Sequence, residues 1–348
     1  MRRASTAIIV FLSCAMAALK VSAQSTSFMQ AMELFHQRQW AQAAAAFAEC
    51  EGSDPGKTEA LLYRGKALIN LGQFDGAGAA LLSYREAHPN SDDAVYLLAY
   101  VRFRGNKPEE SLRLFADAAK LRTPTADDLK VVALDYVLLA DYEDAAHYLE
   151  LAISMDPENV EARYHLGRVR YQQNRFDLAI AAFQEVLRRD PGNVKAQDNL
   201  GLSLDAENKN DEAIAAYKKA IDLDSAATVH SEQPYLNLGV LQARSNRLDQ
   251  AIPLLVRASE IAPKAGKVHY ELGKAYFSMN RLQDAQREAE LAISLEAGDR
   301  PSHYLLGRIY QRQRKADLAA QQFRKTEDMI HDSDAKPGNG MGADMSPH

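Results

Sequence analysis

His269 and His303 stand 34 residues apart in a chain of 348 residues that holds nine histidines. Imidazole binds metals and carries protons near neutral pH, so this pair is the first place to look for chemistry. A metal site needs three or four converging ligands at short, regular spacings. The other histidines, among them His36, His88 and His147, are scattered and complete no such set. There is no Gly-rich phosphate loop, no Gly-x-Ser-x-Gly and no pair of cysteines at metal spacing. Tyr142, Glu143 and Asp144 have the composition of a helix start rather than of an acid/base pair. The chain therefore reads as a protein that is not an enzyme and uses no cofactor or metal. What the two histidines do offer is their interval.

That interval runs through the chain. Alanine recurs at Ala43, Ala77, Ala145, Ala179, Ala213, Ala251, Ala285 and Ala319, with Ser111 filling the one vacant step. Frames of 34 residues opened at Gln24, Thr58, Asp92, Ala126, Val160, Val194, Glu232, Gly266 and Arg300 give nine repeats, and only Thr228 to Ser231 fall outside them. Position 8 is small in every frame: Ala31, Gly65, Ala99, Ala133, Gly167, Gly201, Gly239, Gly273 and Gly307. Position 24 is large and apolar in eight: Phe47, Leu81, Phe115, Leu149, Phe183, Tyr217, Leu255 and Phe323, with Ala289 the exception. Small residues at positions 8 and 20 let two helix backbones approach, and position 24 fills the space beside them.

Turns keep the same register. Position 15 is Gly72, Asn106, Asn174, Asn208, Asn246 or Asn280 in six frames, and these residues tolerate the left-handed conformation that ends a helix. Position 32 is Pro55, Pro89, Pro157, Pro191 or Pro263 in five, where proline stops the second helix. The unit is helix A, turn, helix B, turn. A period of this length marks stacked repeats, whose function resides on a surface.

The pattern resembles the tetratricopeptide repeat, with its Leu-Gly, then Ala-x3-Phe, then Pro over 34 residues. The fifth repeat carries Leu166-Gly167, Ala179, Phe183 and Pro191; the sixth, Leu200-Gly201, Ala213 and Tyr217. The seventh carries Tyr235, Leu238-Gly239, Ala251 and Pro263, and the eighth Leu272-Gly273, Tyr276 and Ala285. The first two depart most, with Gln30 and Arg64 in place of leucine and Tyr84 in place of alanine. The resemblance implies an all-α fold, a right-handed superhelical solenoid of nine helix-turn-helix repeats over residues 24–333.

It further implies that positions 2, 5, 6, 9, 12 and 13 of helix A line a concave groove. In the last five repeats these positions supply Tyr164, His165, Arg168 and Tyr171; Lys195 and Asn199; Asn237 and Arg244; Lys267, Tyr270 and Lys274; and Tyr304, Arg308 and Arg312. Seven cations there face the four acids Glu161, Asp198, Asp205 and Glu271, a mildly basic strip on an acidic protein. Tyrosine and arginine suit recognition by area and hydrogen bonding. The N-terminal counterpart is apolar, with Phe28, Met32, Phe35, Leu62, Ile69, Tyr96, Tyr100 and Phe103. Either it binds an apolar partner helix or neighbouring repeats cover it.

The ends read differently. Arg2 and Arg3 precede an apolar run from Ala7 to Leu19, and Val21-Ser22-Ala23 follows, the layout of a signal peptide cut after Ala23. Thirteen apolar residues are too few for a permanent membrane span. Cleavage lowers the formal net charge from −6 to −9 and leaves Cys50 as the one cysteine, a small buried hydrophobe in this reading. Residues 334–348 are rich in Gly, Pro, Asp and Met, and are expected to be disordered. No long charged block points to nucleic acid. The expected function is a non-catalytic scaffold or adaptor of the cell envelope, periplasmic or secreted, that binds a protein or peptide partner in the groove. A glycan- or small-molecule-binding accessory, and an enzyme with its site in the groove, are the competing classes.

Overall fold

Ala, Gly, Asn and Pro at fixed intervals divide the chain into short amphipathic segments, and each becomes a helix. A computed structural model describes residues 28–50 and 57–334, and every regular element among the described residues is helical. The signal-peptide reading, Pro55 and the tail from residue 335 lie outside them. No helix among the described residues is long and apolar enough to cross a membrane.

The chain divides into two compact units between Glu158 and Asn159. The first holds α1 (28–36), α2 (Trp40–Cys50), α3 (Lys57–Asn70), α4 (Phe74–Ala87), α5 (Asp92–Arg104), α6 (Pro108–Ala118), α7 (Ala126–Leu138) and α8 (Tyr142–Met155). The second holds α9 (Val160–Gln172), α10 (Phe176–Arg189), α11 (Val194–Ala206), α12 (Asn210–Ser225), α13 (Gln233–Arg244), α14 (Leu248–Ile261), α15 (Gly266–Ser278), α16 (Leu282–Leu295), α17 (Arg300–Arg312) and α18 (Ala316–Asp334). Odd-numbered helices are the A helices. Within each unit an A helix packs on its own B helix, and that B helix packs on the A helix that follows. Asp334, expected in the tail, is the last residue of α18.

The close approach at position 8 is visible atom by atom. A Cβ added to Gly167 would lie 2.7 Å from the Phe183 ring, and one added to Gly201 would lie 2.6 Å from Tyr217. Gly65, Gly239 and Gly307 are pressed in the same way by Leu81, Leu255 and Phe323. Gly273, opposite the exceptional Ala289, is looser, with its nearest neighbour at 3.3 Å. All nine position-20 residues are buried. Ser111 satisfies its hydroxyl by donating to the Ala99 carbonyl at 2.9 Å.

Position 15 is left-handed throughout. Gly72, Asn106, Asn174, Asn208, Asn246 and Asn280 have φ between 55° and 72°, but so do Arg38, Ala140 and Arg314, at 58°, 58° and 63°. Helix-to-helix packing imposes the conformation where the residue type disfavours it. A helices are capped by Ser91, Thr125, Asn159, Asn193 and Asp299, whose side chains accept the first free backbone N–H groups. The extra residues Thr228 to Ser231 are tied down by the buried Asp224 carboxylate, which accepts from the Ser231 N–H at 2.8 Å and meets His230 Nδ1 at 3.2 Å. Glu327, which replaces an apolar residue at position 28, is exposed.

Candidate functional site

His269 and His303 belong to the framework. His269 Nδ1 meets Glu288 Oε2 at 2.9 Å, and Nε2 meets the Pro263 carbonyl at 3.1 Å. His303 repeats the arrangement with Gln322 Oε1 at 2.7 Å and the Ala297 carbonyl at 3.4 Å. Each imidazole thus ties helix A to its own helix B and to the preceding turn. Among the described residues no group of three His, Cys, Asp or Glu is arranged to hold a metal ion. Cys50 is buried.

The apolar positions of the first unit are buried in part: Phe28, Met32, Phe35, Ile69 and Tyr100 remain half-buried. Leu62, Tyr96 and Phe103 are buried, and Phe28, Phe35 and Phe47 form a ring cluster with Tyr63 at centroid distances of 5.5 to 6.2 Å. The Tyr96 hydroxyl donates to the Arg122 carbonyl at 2.9 Å. Neighbouring repeats cover this face in part.

In the second unit consecutive A helices touch, so α9, α11, α13, α15 and α17 form one continuous face. Side chains on it interlock by a simple register. Asn199, at position 6, donates to the Tyr164 hydroxyl at position 5 of the preceding repeat, at 3.3 Å, and to the Lys195 carbonyl at 2.8 Å. Asn237 occupies the same position one repeat later and donates to both oxygens of Asp198 at 3.1 Å. Both amide NH2 groups are therefore engaged within the protein, and the side-chain oxygens are what they offer to a ligand. Position 13 reaches back to position 12 in the same way. Arg244 pairs with Asp205, whereas Arg312 lies over the Phe277 ring at 4.7 Å.

Burial shapes the titration of this face. Asp198 is nearly enclosed, and desolvation pushes its carboxyl up to about 7 despite the opposing Asn237 hydrogen bond. Desolvation also raises the hydroxyls of Tyr164, Tyr171 and Tyr270 above the usual tyrosine range, so all three remain donors at neutral pH. Arg168 sits 6.0 Å from the Tyr164 ring centroid, and Lys274 sits 5.4 Å from that of Tyr270 while bonding Glu271 Oε2 at 2.7 Å. Tyr304 is 52% exposed and tilted against Phe323. Arg308 lies 5.0 Å from the Phe277 centroid.

The face thus divides into two characters. Near α11 and α13 it is carboxylate-rich and internally bonded; near α15 and α17 it is aromatic and cationic. The count of seven cations against four acids, taken from sequence, concealed this division. Asp205 and Glu271 each neutralise one of the cations. Sequence reading also passed over Phe277 as a functional element, because an aromatic at position 12 looks like core until the arginines above it are placed.

Comparison with known proteins adds the lineage. Tetratricopeptide-repeat profiles match residues 34–99 and 242–309, and a second set matches 133–194, 168–228 and 199–266, together more than half of the chain. A BBSome complex member, BBS4 of Bos taurus, is 24% identical over 233 residues, 67% of this chain and 37% of that protein. The chain therefore corresponds to well under two thirds of that relative. A tetratricopeptide repeat protein from Parabacteroides merdae superposes with a TM-score of 0.59 at 17% identity, covering 72% of this chain and 97% of that one. The Cut9–Hcn1 hetero-tetramer of the APC/C gives 0.58 at 15% identity, with 80% of this chain and 54% of that chain covered. From the profile matches and the nine-fold register of small and left-handed positions, the chain belongs to the tetratricopeptide repeat family.

Proposed function

We propose that the protein is a non-catalytic adaptor that holds a peptide segment of a protein partner on the A-helix face of its second unit. One observation carries this reading. Tyr164 on α9, Tyr270 on α15 and Tyr304, Arg308 and Arg312 on α17 stand on one A-helix face, and Tyr304, Arg308 and Arg312 are exposed on it. Rigid aromatic area with arginine is the composition that concentrates binding energy at interfaces. Two of the proteins that it resembles are named as parts of multi-protein complexes, which accords with an adaptor. A photo-crosslinking residue at Tyr270 or Tyr304 should capture the partner, while the same residue at Gln184 on α10 should not. Equal capture from both sides would overturn the assignment of the face.

The proposal places this adaptor in the cell envelope. Its support is the sequence of Arg2, Arg3, the apolar run and Val21-Ser22-Ala23. N-terminal sequencing of the protein purified from its own host should begin at Gln24. A cytosolic protein that retains residues 1–23 would contradict export.

A further inference from the structure

We propose that the seam between the third and fourth repeats, where α7 packs on α6, is latched by a proton on Asp135 and loosens as the surroundings go from acid to neutral. The seam lies wholly within the first unit.

Two departures from the repeat pattern meet there. Position 20 is alanine in eight repeats, and Ser111 on α6 is the exception. Position 10 packs a helix A on the helix B before it: one repeat earlier, Val101 lies 3.5 Å from where a Cβ on Gly78 of α4 would sit. Wherever else position 10 is buried it is Ala, Val, Leu, Ile or Ser, and in α7 it is Asp135. Asp135 and Ser111 are both fully enclosed, and the hydroxyl is close enough to act on the carboxyl.

That hydroxyl aims its proton elsewhere. Ser111 donates to the Ala99 carbonyl of α5 at 2.9 Å, and neither oxygen of Asp135 has a donor. No cation compensates: the charged group that acts on Asp135 is Glu109 of α6, itself an acid, and α5 and α8 contribute none. A buried carboxylate with neither donor nor cation takes up a proton rather than keep its charge. Protonated, Asp135 becomes the donor that the site lacks, toward the Ser111 oxygen. One chain of hydrogen bonds then runs from α7 through α6 to α5. Loss of the proton removes that link and leaves a bare charge inside the seam.

The end of the seam is held independently. Arg122, in the connection from α6 to α7, donates to Asp92 of α5 at 2.8 Å and to Asp128 of α7 at 3.1 Å. These bonds do not involve Asp135, so the ends of α5 and α7 stay together while the middle of the seam gives. Burial pushes the Asp135 carboxyl from 3.8 up to about 7, and opening returns it to the ordinary range. Opening therefore becomes easier as pH rises between those two values, and levels off above the second.

Amide hydrogen exchange of the full chain at pH 5, 7 and 8, corrected for intrinsic exchange rates, is the test, with α3 and α4 as the internal reference. Relative to that reference, opening of α6 and α7 should rise by about tenfold or more from pH 5 to pH 7 and change little from pH 7 to pH 8. D135N keeps a donor for Ser111 without a charge, so its exchange should not depend on pH and should match the parent at pH 5. D135V, apolar like its counterparts in other repeats, should lose the pH dependence as well. S111A removes the acceptor and should raise opening at pH 5 severalfold. A rise shared equally by α3 and α4, or one that persists in D135N and D135V, overturns the latch. Exchange of S111A equal to that of the parent at pH 5 overturns the link through Ser111.

Discussion

Asp135 occupies position 10 of its repeat, where Val101, Val169, Leu241 and Ile309 stand in others. It is fully buried, and neither carboxylate oxygen has a hydrogen-bond donor. Desolvation pushes it up to about 7, with the nearby Ser111 hydroxyl offsetting part of the effect. Between the ordinary value of 3.8 and about 7, the folded state holds a proton that the unfolded state has lost. Stability therefore falls as pH rises through that window. Asp135→Val should raise stability at pH 8 by on the order of 2–4 kcal/mol and by far less at pH 4, as urea titrations at the two pH values would read. Part of the slope should remain, since Asp198 shifts in the same direction. Equal gains at both pH values would mean that Asp135 is not protonated by burial. Glycines make a second contrast. Gly201→Ala drives a methyl into Tyr217 and should cost about 1–3 kcal/mol by overpacking. Gly273→Ala, facing Ala289, should stay within about 1 kcal/mol of the parent, because helix propensity offsets the smaller crowding. Thermal denaturation of the two variants would settle the comparison.

Turns show how far an element is legible before it is seen. Asn and Gly at position 15 announced six left-handed turns, and the structure adds Arg38, Ala140 and Arg314 with the same φ. Those three carry no local signal, because stacking of neighbouring helices imposes the turn there. Ala140→Gly should accordingly stabilise the protein by about 1 kcal/mol, by relieving a strained backbone. A lower melting temperature for this variant would show that the turn is set by something other than backbone strain. The helices themselves were readable because small and large residues recur at fixed positions, and α5, α7, α9, α11, α15 and α17 begin on the residues that open their frames. Contacts between repeats were not readable in the same way. That Asn199 and Asn237 spend their amide donors on the preceding repeat follows from how A helices are offset, a quantity absent from any single repeat.

Stacked repeats touch only their neighbours, so damage and function should both be regional. Ala213→Leu forces α11 from α12 and should cost about 1–3 kcal/mol. Hydrogen exchange should rise around those helices, with α1 to α6 little affected. On the proposal above, partner binding belongs to one face of one unit, and its charge should make it salt-sensitive. The measurement that bears most directly on this claim compares two triple variants that carry the same change of charge. Arg168, Lys274 and Arg308 are altered to Glu on the A-helix face; Lys218, Lys219 and Arg257, exposed on B helices, are altered to Glu elsewhere. With helicity unchanged in both, proteins retained by the parent chain from an extract of its host should be lost from the first variant and kept by the second. Retention by the first variant equal to that of the parent would contradict the assignment of binding to this face.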